Sequence, residues 1–232
     1  MHKLGEDIWI HEDTHSMGGN ELRLRMTIVK LTNGRLWIHS PTPFSDELKD
    51  LVDQIGQVQY LVAANNLHNL WLLDWYQRYP QATLVVSEGL PKKLTLPDGC
   101  VLMDDTFRNP WSEDLTHQLL FDVPFFNESV FLHNKSNSLI VTDIIQNYSD
   151  PLPDTMGARL IAHLFRLIGF KDLCIAPPMK FGFLRKDKTN FAEAIQVIDQ
   201  WDFDKIIVTH GNIIDADANT VFYDLTKRFL AD

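Results

Sequence analysis

Apolar residues recur at two periods along this chain, and the order in which those periods alternate outlines an architecture. Asp7–His11 (DIWIH), Met26–Leu31 (MTIVKL) and Arg35–His39 (RLWIH) read as strands, and Thr32-Asn33-Gly34 between the last two predicts a hairpin turn. Ser45 is an N-cap for a helix over Asp46–Ile55, which carries acids in its first turn and ends at Gly56. Val58–Ala64 (VQYLVAA) is the next strand, followed by an aromatic-rich helix over His68–Tyr79 that Pro80 stops. Trp71, Trp75 and Tyr79 share its packing face by their i, i+4 spacing. Ala82–Val86 is a strand, and Gly89–Lys93 forms a short helix or turn.

Further on, Leu115–Phe121, Ser129–His133 and Leu139–Thr142 read as consecutive strands. In the second of these, Ser129, Phe131 and His133 share one face, and Val130 and Leu132 the other. Helical periodicity marks Thr155–Phe170, Lys188–Gln200 and Asn219–Leu230, with a buried strand at Lys205–Thr209 (KIIVT). Gly18-Gly19 reads as a turn. Early hairpins, then strand–helix alternation, then a second meander, predict two packed sheets with helices outside. The expected fold class is therefore α/β, a four-layer αββα sandwich, with residues 1–232 as one domain.

Polar residues follow the apolar runs at distant points in the chain. Val58–Ala64 leads into Asn65, Asn66, His68 and Asn69; Ser138–Thr142 leads into Asp143; Lys205–Thr209 leads into His210. Residues just past strand ends converge on one sheet edge, where α/β proteins place their sites. Two imidazoles and a carboxylate brought together suit either a metal site or acid–base chemistry.

The net charge of −10 argues against nonspecific binding to nucleic acid or anionic membranes. The basic run Lys180–Lys188 is read as a solvated segment. Cys100 and Cys174 sit in apolar contexts and are expected to be buried free thiols in a reducing, cytoplasmic setting. No apolar run reaches about 18 residues. The chain holds no Gly-x-Ser-x-Gly elbow, phosphate loop or Gly-x-Gly-x-x-Gly fingerprint. His163 is expected to pack partly buried in its helix, and His2, His11, His15 and His117 to lie on the surface.

LGEDIWI, MTIVKLTNGRLWIHSPTP, LVAANNLHNLWLLDWYQRYPQA, ESVFLHNKSNSLIVTDIIQN and FDKIIVTHG together resemble the metallo-β-lactamase fold superfamily. Within it the chain looks closest to domain-of-unknown-function family 4336. Active members of the superfamily carry His-x-His-x-Asp-His after the strand matching Val58–Ala64, with later His, Asp and His residues that complete a site for one or two ions. In this chain the motif positions read Ala63, Asn65, Leu67 and His68, and no His stands near Pro124–Phe126. Asp143 and His210 match the later Asp and the final His.

The resemblance thus implies one Zn, Fe or Mn ion on His68, Asp143 and His210, a set suited to metal-assisted hydrolysis of a small ester, thioester, lactone or phosphoester. The alternative is a non-catalytic descendant whose pocket is closed by hydrogen bonds and binds a small molecule or a protein. Asn65 and Asn69 are further pocket candidates. Glu128 is expected to ligate the ion or orient an imidazole. His133 either reaches the pocket or caps a turn at Asn134, and His39 either meets substrate or fixes the Pro-rich turn after it. Expected partners are small molecules, not nucleic acid or membrane.

Overall fold

The computed structural model describes residues 1–17, 20–121, 127–149, 163–164, 166–167, 169, 172–177 and 188–231. A seven-stranded sheet comes first: β1 (His2–Gly5), β2 (Ile8–Met17), β3 (Asn20–Lys30), β4 (Leu36–His39), β5 (Val58–Ala63), β6 (Thr83–Ser87) and β7 (Val101–Met103), in spatial order 1-2-3-4-5-6-7. Its strands pair antiparallel from β1 to β4 and parallel from β4 to β7. A second sheet has the order β13-β10-β9-β8, from β8 (Leu115–Phe121), β9 (Glu128–His133), β10 (Ser138–Ile140) and β13 (Lys205–Ile207). β11 (Gln146–Tyr148) and β12 (Asp172–Cys174) form a separate pair.

Period-2 alternation sorts side chains into layers. Trp37, Val62, Val85, Phe131, Ile140 and Ile207 alternate inward and meet in one cluster between the sheets. Their strand neighbours Ile38, Leu61, Ala63 and Val86 face the other way, packing with Leu48 and Val52 of α1 (Asp46–Ile55) and Leu72 and Trp75 of α2 (Leu72–Arg78). Val130, Leu132, Leu139 and Ile206 pack with Phe191 and Ile195 of α3 (Thr189–Ile198) and Phe222 and Phe229 of α4 (Ala218–Ala231). The order helix, sheet, sheet, helix is the expected αββα sandwich.

Local chemistry explains the element ends. Ser45 Oγ accepts the Leu48 N–H at 3.1 Å, and α1 closes with the Gly56 N–H on Val52 O. Gly34 supplies the positive φ, +78°, of the turn before β4.

Three expectations need correction. The β2–β3 pairing runs from Ile8↔Val29 to Met17↔Asn20, well beyond Asp7–His11 and Met26–Leu31, the stretches expected as strands. Its outer half is mostly polar, so hydrophobic alternation is too weak there to reveal a strand. The helix expected from His68 starts only at Leu72, because Asn65 Oδ1 accepts the N–H groups of Leu67 and His68 and holds those residues in a turn. His163, Leu164 and Leu167 belong to a described helical stretch but are exposed, not packed.

Most of the predicted helix Thr155–Phe170, most of Lys180–Lys188, Gly18-Gly19 and the segment near Pro124–Phe126 lie outside the described residues. Among the described residues, no helix is long and apolar enough to cross a membrane.

Candidate metal centre

His68, Asp143 and His210 come together at the edge where β5, β10 and β13 end. His68 Nε2 lies 3.3 Å from Asp143 and 3.1 Å from His210 Nε2; His210 Nε2 lies 3.6 Å from Asp143. All three side chains are nearly closed off from solvent, at 10%, 7% and 7% exposure.

Each group is held from behind. His210 Nδ1 donates to the carbonyl of Arg23 at 2.8 Å. A carbonyl only accepts, so the proton of the neutral ring is on Nδ1 and Nε2 keeps its lone pair facing His68 and Asp143. Asp143 takes an amide N–H on each oxygen, from Asn65 Nδ2 at 2.7 Å and Gln146 Nε2 at 3.0 Å. The Gln146 Oε1 accepts from the Tyr148 hydroxyl at 3.1 Å, which fixes the amide with its nitrogen toward Asp143.

Glu128, buried at the start of β9, turns its carboxylate to backbone rather than to an imidazole. It accepts the N–H groups of Thr142, Asp143 and Ile144 between 2.8 and 3.2 Å, so it shapes the turn that presents Asp143. Gly211 follows His210 at φ +87°, where a Cβ would stand 1.8 Å from Asn147 O. Only glycine lets the chain leave His210 this way.

The electrostatics separate the members of the cluster. Burial alone would raise Asp143, but the adjacent His68, its hydrogen bond, His210 and the Asn65 amide hold it well below the usual carboxylate range. Burial would lower His68, and the charge and hydrogen bond of Asp143 outweigh it, so His68 is raised. His210 is pushed down to about 4 by burial and then by His68. Glu128 is pushed up to about 7 by burial and by the nearby Asp143 charge, against the pull of its backbone donors.

This donor set fits a divalent ion. Ligands at about 2.0–2.1 Å from zinc or a similar metal stand roughly 3.0–3.4 Å from one another. The separations of 3.1 and 3.3 Å fall in that range, and the third, 3.6 Å, lies just above it. Two unprotonated ring nitrogens would not face each other at 3.1 Å without a cation or a shared proton between them.

The other candidates are placed as follows. Asn65 stands beside the trio, but both ends of its amide are engaged, by Asp143 and by the Leu67 and His68 N–H groups. Asn69 donates to Asn66 O at 2.9 Å, in the turn before α2. His39 is fully buried, stacked on Trp37 with ring centroids 5.5 Å apart, and 3.3 Å from Thr142 Oγ1. His133 lies at the opposite end of β9 from Glu128, roughly 17 Å away by strand rise, and pairs with Ser136 Oγ at 2.7 Å.

His117, expected on the surface, is half-buried and bonds Ser129 Oγ at 2.9 Å. Its face of β8 looks between the sheets, against Phe107 and Phe131. Cys100 and Cys174 form no disulfide, and both are half-buried rather than buried.

Gln146 was not evident as a site residue from the sequence, nor was Arg25, whose guanidinium donates to the carbonyls of Val208 and Gly211 on either side of His210. Gln146 falls past the point where apolar periodicity stops. Arg25 did carry a signal, since alternation puts it on the inward face with Val29, where a cation needs a partner.

Comparison with known proteins agrees with this architecture. The chain resembles a metallo-beta-lactamase from Pontibacter korlensis at a TM-score of 0.61 and 14% identity, over 97% of both chains. A metallo-beta-lactamase from Hirschia baltica superposes at 0.61 and 12% identity, over 97% of this chain and 95% of that one. The flavodiiron protein of Giardia intestinalis superposes at 0.64 and 12% identity, over 97% of this chain and 58% of that longer chain. No curated protein matches the chain in sequence. The model of the family described as Domain of unknown function (DUF4336) matches residues 5–168. With that match over most of its length, the chain belongs to the DUF4336 family, and its fold is that of the metallo-β-lactamases.

Proposed function

We propose that the protein is a metal-dependent hydrolase that uses one Zn, Fe or Mn ion held by His68, Asp143 and His210. The observation that carries this reading is the mutual spacing of the three donors, with His210 presenting a bare Nε2. When bound, such an ion supplies Lewis acidity that activates water near neutral pH. The chain's own residues do the rest. Arg23 O keeps the His210 proton on Nδ1, Asn65 and Gln146 fix the Asp143 carboxylate, and Glu128 holds the backbone beneath it. A small ester, thioester, lactone or phosphoester is the proposed substrate class, in a cytoplasmic setting compatible with Cys100 and Cys174 forming no disulfide.

A second reading, a non-catalytic pocket for a small molecule or a protein, is favoured by a specific observation. A single proton on His68 Nε2 satisfies the trio without any ion, and Asn65 has no free group to add. Leu67, which occupies the motif's Asp position, is 46% exposed and contributes no ligand. Purified protein loaded in turn with Zn, Mn and Fe(II), screened on the four substrate classes beside Asp143→Ala, separates the readings. Turnover that Asp143→Ala abolishes supports the hydrolase; no turnover with any ion or class favours the binding pocket.

A further inference from the structure

We propose that Arg25 is the positioning residue of His210, acting through a guanidinium fork that fixes the turn carrying the imidazole. Arg25 lies in β3, on the opposite sheet from the strand that leads to His210, and is 2% exposed. Its Nη1 donates to Val208 O and its Nη2 to Gly211 O, the latter at 2.7 Å. These carbonyls bracket Thr209 and His210. Glu12, directly opposite on β2, supplies the counter-charge through the same Nη2.

Two residues earlier on the same strand, Arg23 O receives the His210 Nδ1–H. β3 therefore grips His210 twice, once by its ring and once by the backbone on either side. If Arg25 only filled space between the sheets, an aliphatic residue would do so without burying a charge. What a fork adds is simultaneous reach to two carbonyls, which a single ammonium point charge does not span. Arg25 touches neither the donor atoms nor anything they would hold; it acts by keeping Arg23 O and the His210 ring in register. The proposal rests on the metal-site reading for its consequence, but its geometric content does not need an ion.

The test uses the full chain with Arg25→Met and Arg25→Lys. In metal-free protein at neutral pH, long-range ¹H–¹⁵N spectra report the tautomer of each imidazole, with His210 assigned by its loss in His210→Asn. In parallel, Zn²⁺ affinity is measured by competition with a chromophoric chelator. The wild type is expected to show His210 as the Nδ1–H tautomer. Arg25→Met is expected to lose that single tautomer and to bind Zn²⁺ about tenfold to a hundredfold more weakly, the range typical of residues that orient metal ligands. Arg25→Lys is expected to fall with Arg25→Met, and it carries the test alone if Arg25→Met does not fold.

A folded Arg25→Met that keeps both the tautomer and the affinity overturns the proposal, whatever its loss of thermal stability. Full recovery of both in Arg25→Lys overturns the role of the fork. If wild-type protein binds no Zn²⁺, the metal reading is in question, while the tautomer still decides whether Arg25 positions His210.

Discussion

His39 and His133 are buried as deeply as His210, yet they serve packing, whereas His210 and His68 serve a cluster. His39 stacks on Trp37 and meets Phe131 edge-on, and burial pushes it down to about 3. His133 bonds a serine hydroxyl, and burial pushes it down to about 4. Among the described residues, neither has a carboxylate in hydrogen-bond contact. His68 is nearly as enclosed but is raised, because Asp143 lies against it. Burial alone turns a histidine into a neutral aromatic. A buried carboxylate beside it turns the same side chain into a ligand or a proton holder.

The largest effect expected from breaking this contrast is at the carboxylate. Asp143→Ala and His210→Ala should each remove stoichiometric metal while leaving a folded protein, as read by elemental analysis and circular dichroism. Unchanged metal in both variants would place any ion elsewhere. At the packing histidines the cost should appear in stability instead. Trp37→Ala, which strips the stack from His39 and opens space against Phe131, should cost about 3–5 kcal/mol in denaturant unfolding and leave the metal-to-chain ratio unchanged.

A pH series sharpens the same comparison. His39 and His133 have folded pKa values below the ordinary 6.5, so between that value and about 3–4 the unfolded chain binds protons that the folded chain refuses. Their contribution to stability is therefore complete above about pH 6.5 and is lost as pH falls, at up to about 1.4 kcal/mol per pH unit for each group. His133→Asn should flatten that slope; an identical slope in the variant would mean that His133 titrates normally. The smallest effect is at Ser136→Ala, which removes the His133 partner at a cost of about 1 kcal/mol without altering metal content.

Much of this was legible in the sequence, for identifiable reasons. α1 is written in Ser45, its acidic first turn and Gly56, and the inward alternation of Phe131 against Val130 and Leu132 follows the strand period. The convergence of His68, Asp143 and His210 was legible because each follows an apolar strand. What was not legible depends on partners distant in sequence. Nothing local distinguishes His39, which ends a strand, from His210, which also follows one. The late start of α2 depends on which way the Asn65 amide points, and the role of Arg25 depends on carbonyls 183 and 186 residues away. The Glu128 carboxylate was expected at an ion or imidazole and instead binds three successive N–H groups, a choice set by the fold of the turn at Asp143.

The metal site on His68, Asp143 and His210 is tested most directly by elemental analysis of untagged protein purified without chelator, read as metal per chain beside Asp143→Ala. About one equivalent of Zn, Fe or Mn is expected in the wild type and essentially none in the variant. No metal in the wild type, even after dialysis against each ion, would contradict the metal site and leave a hydrogen-bonded pocket in its place.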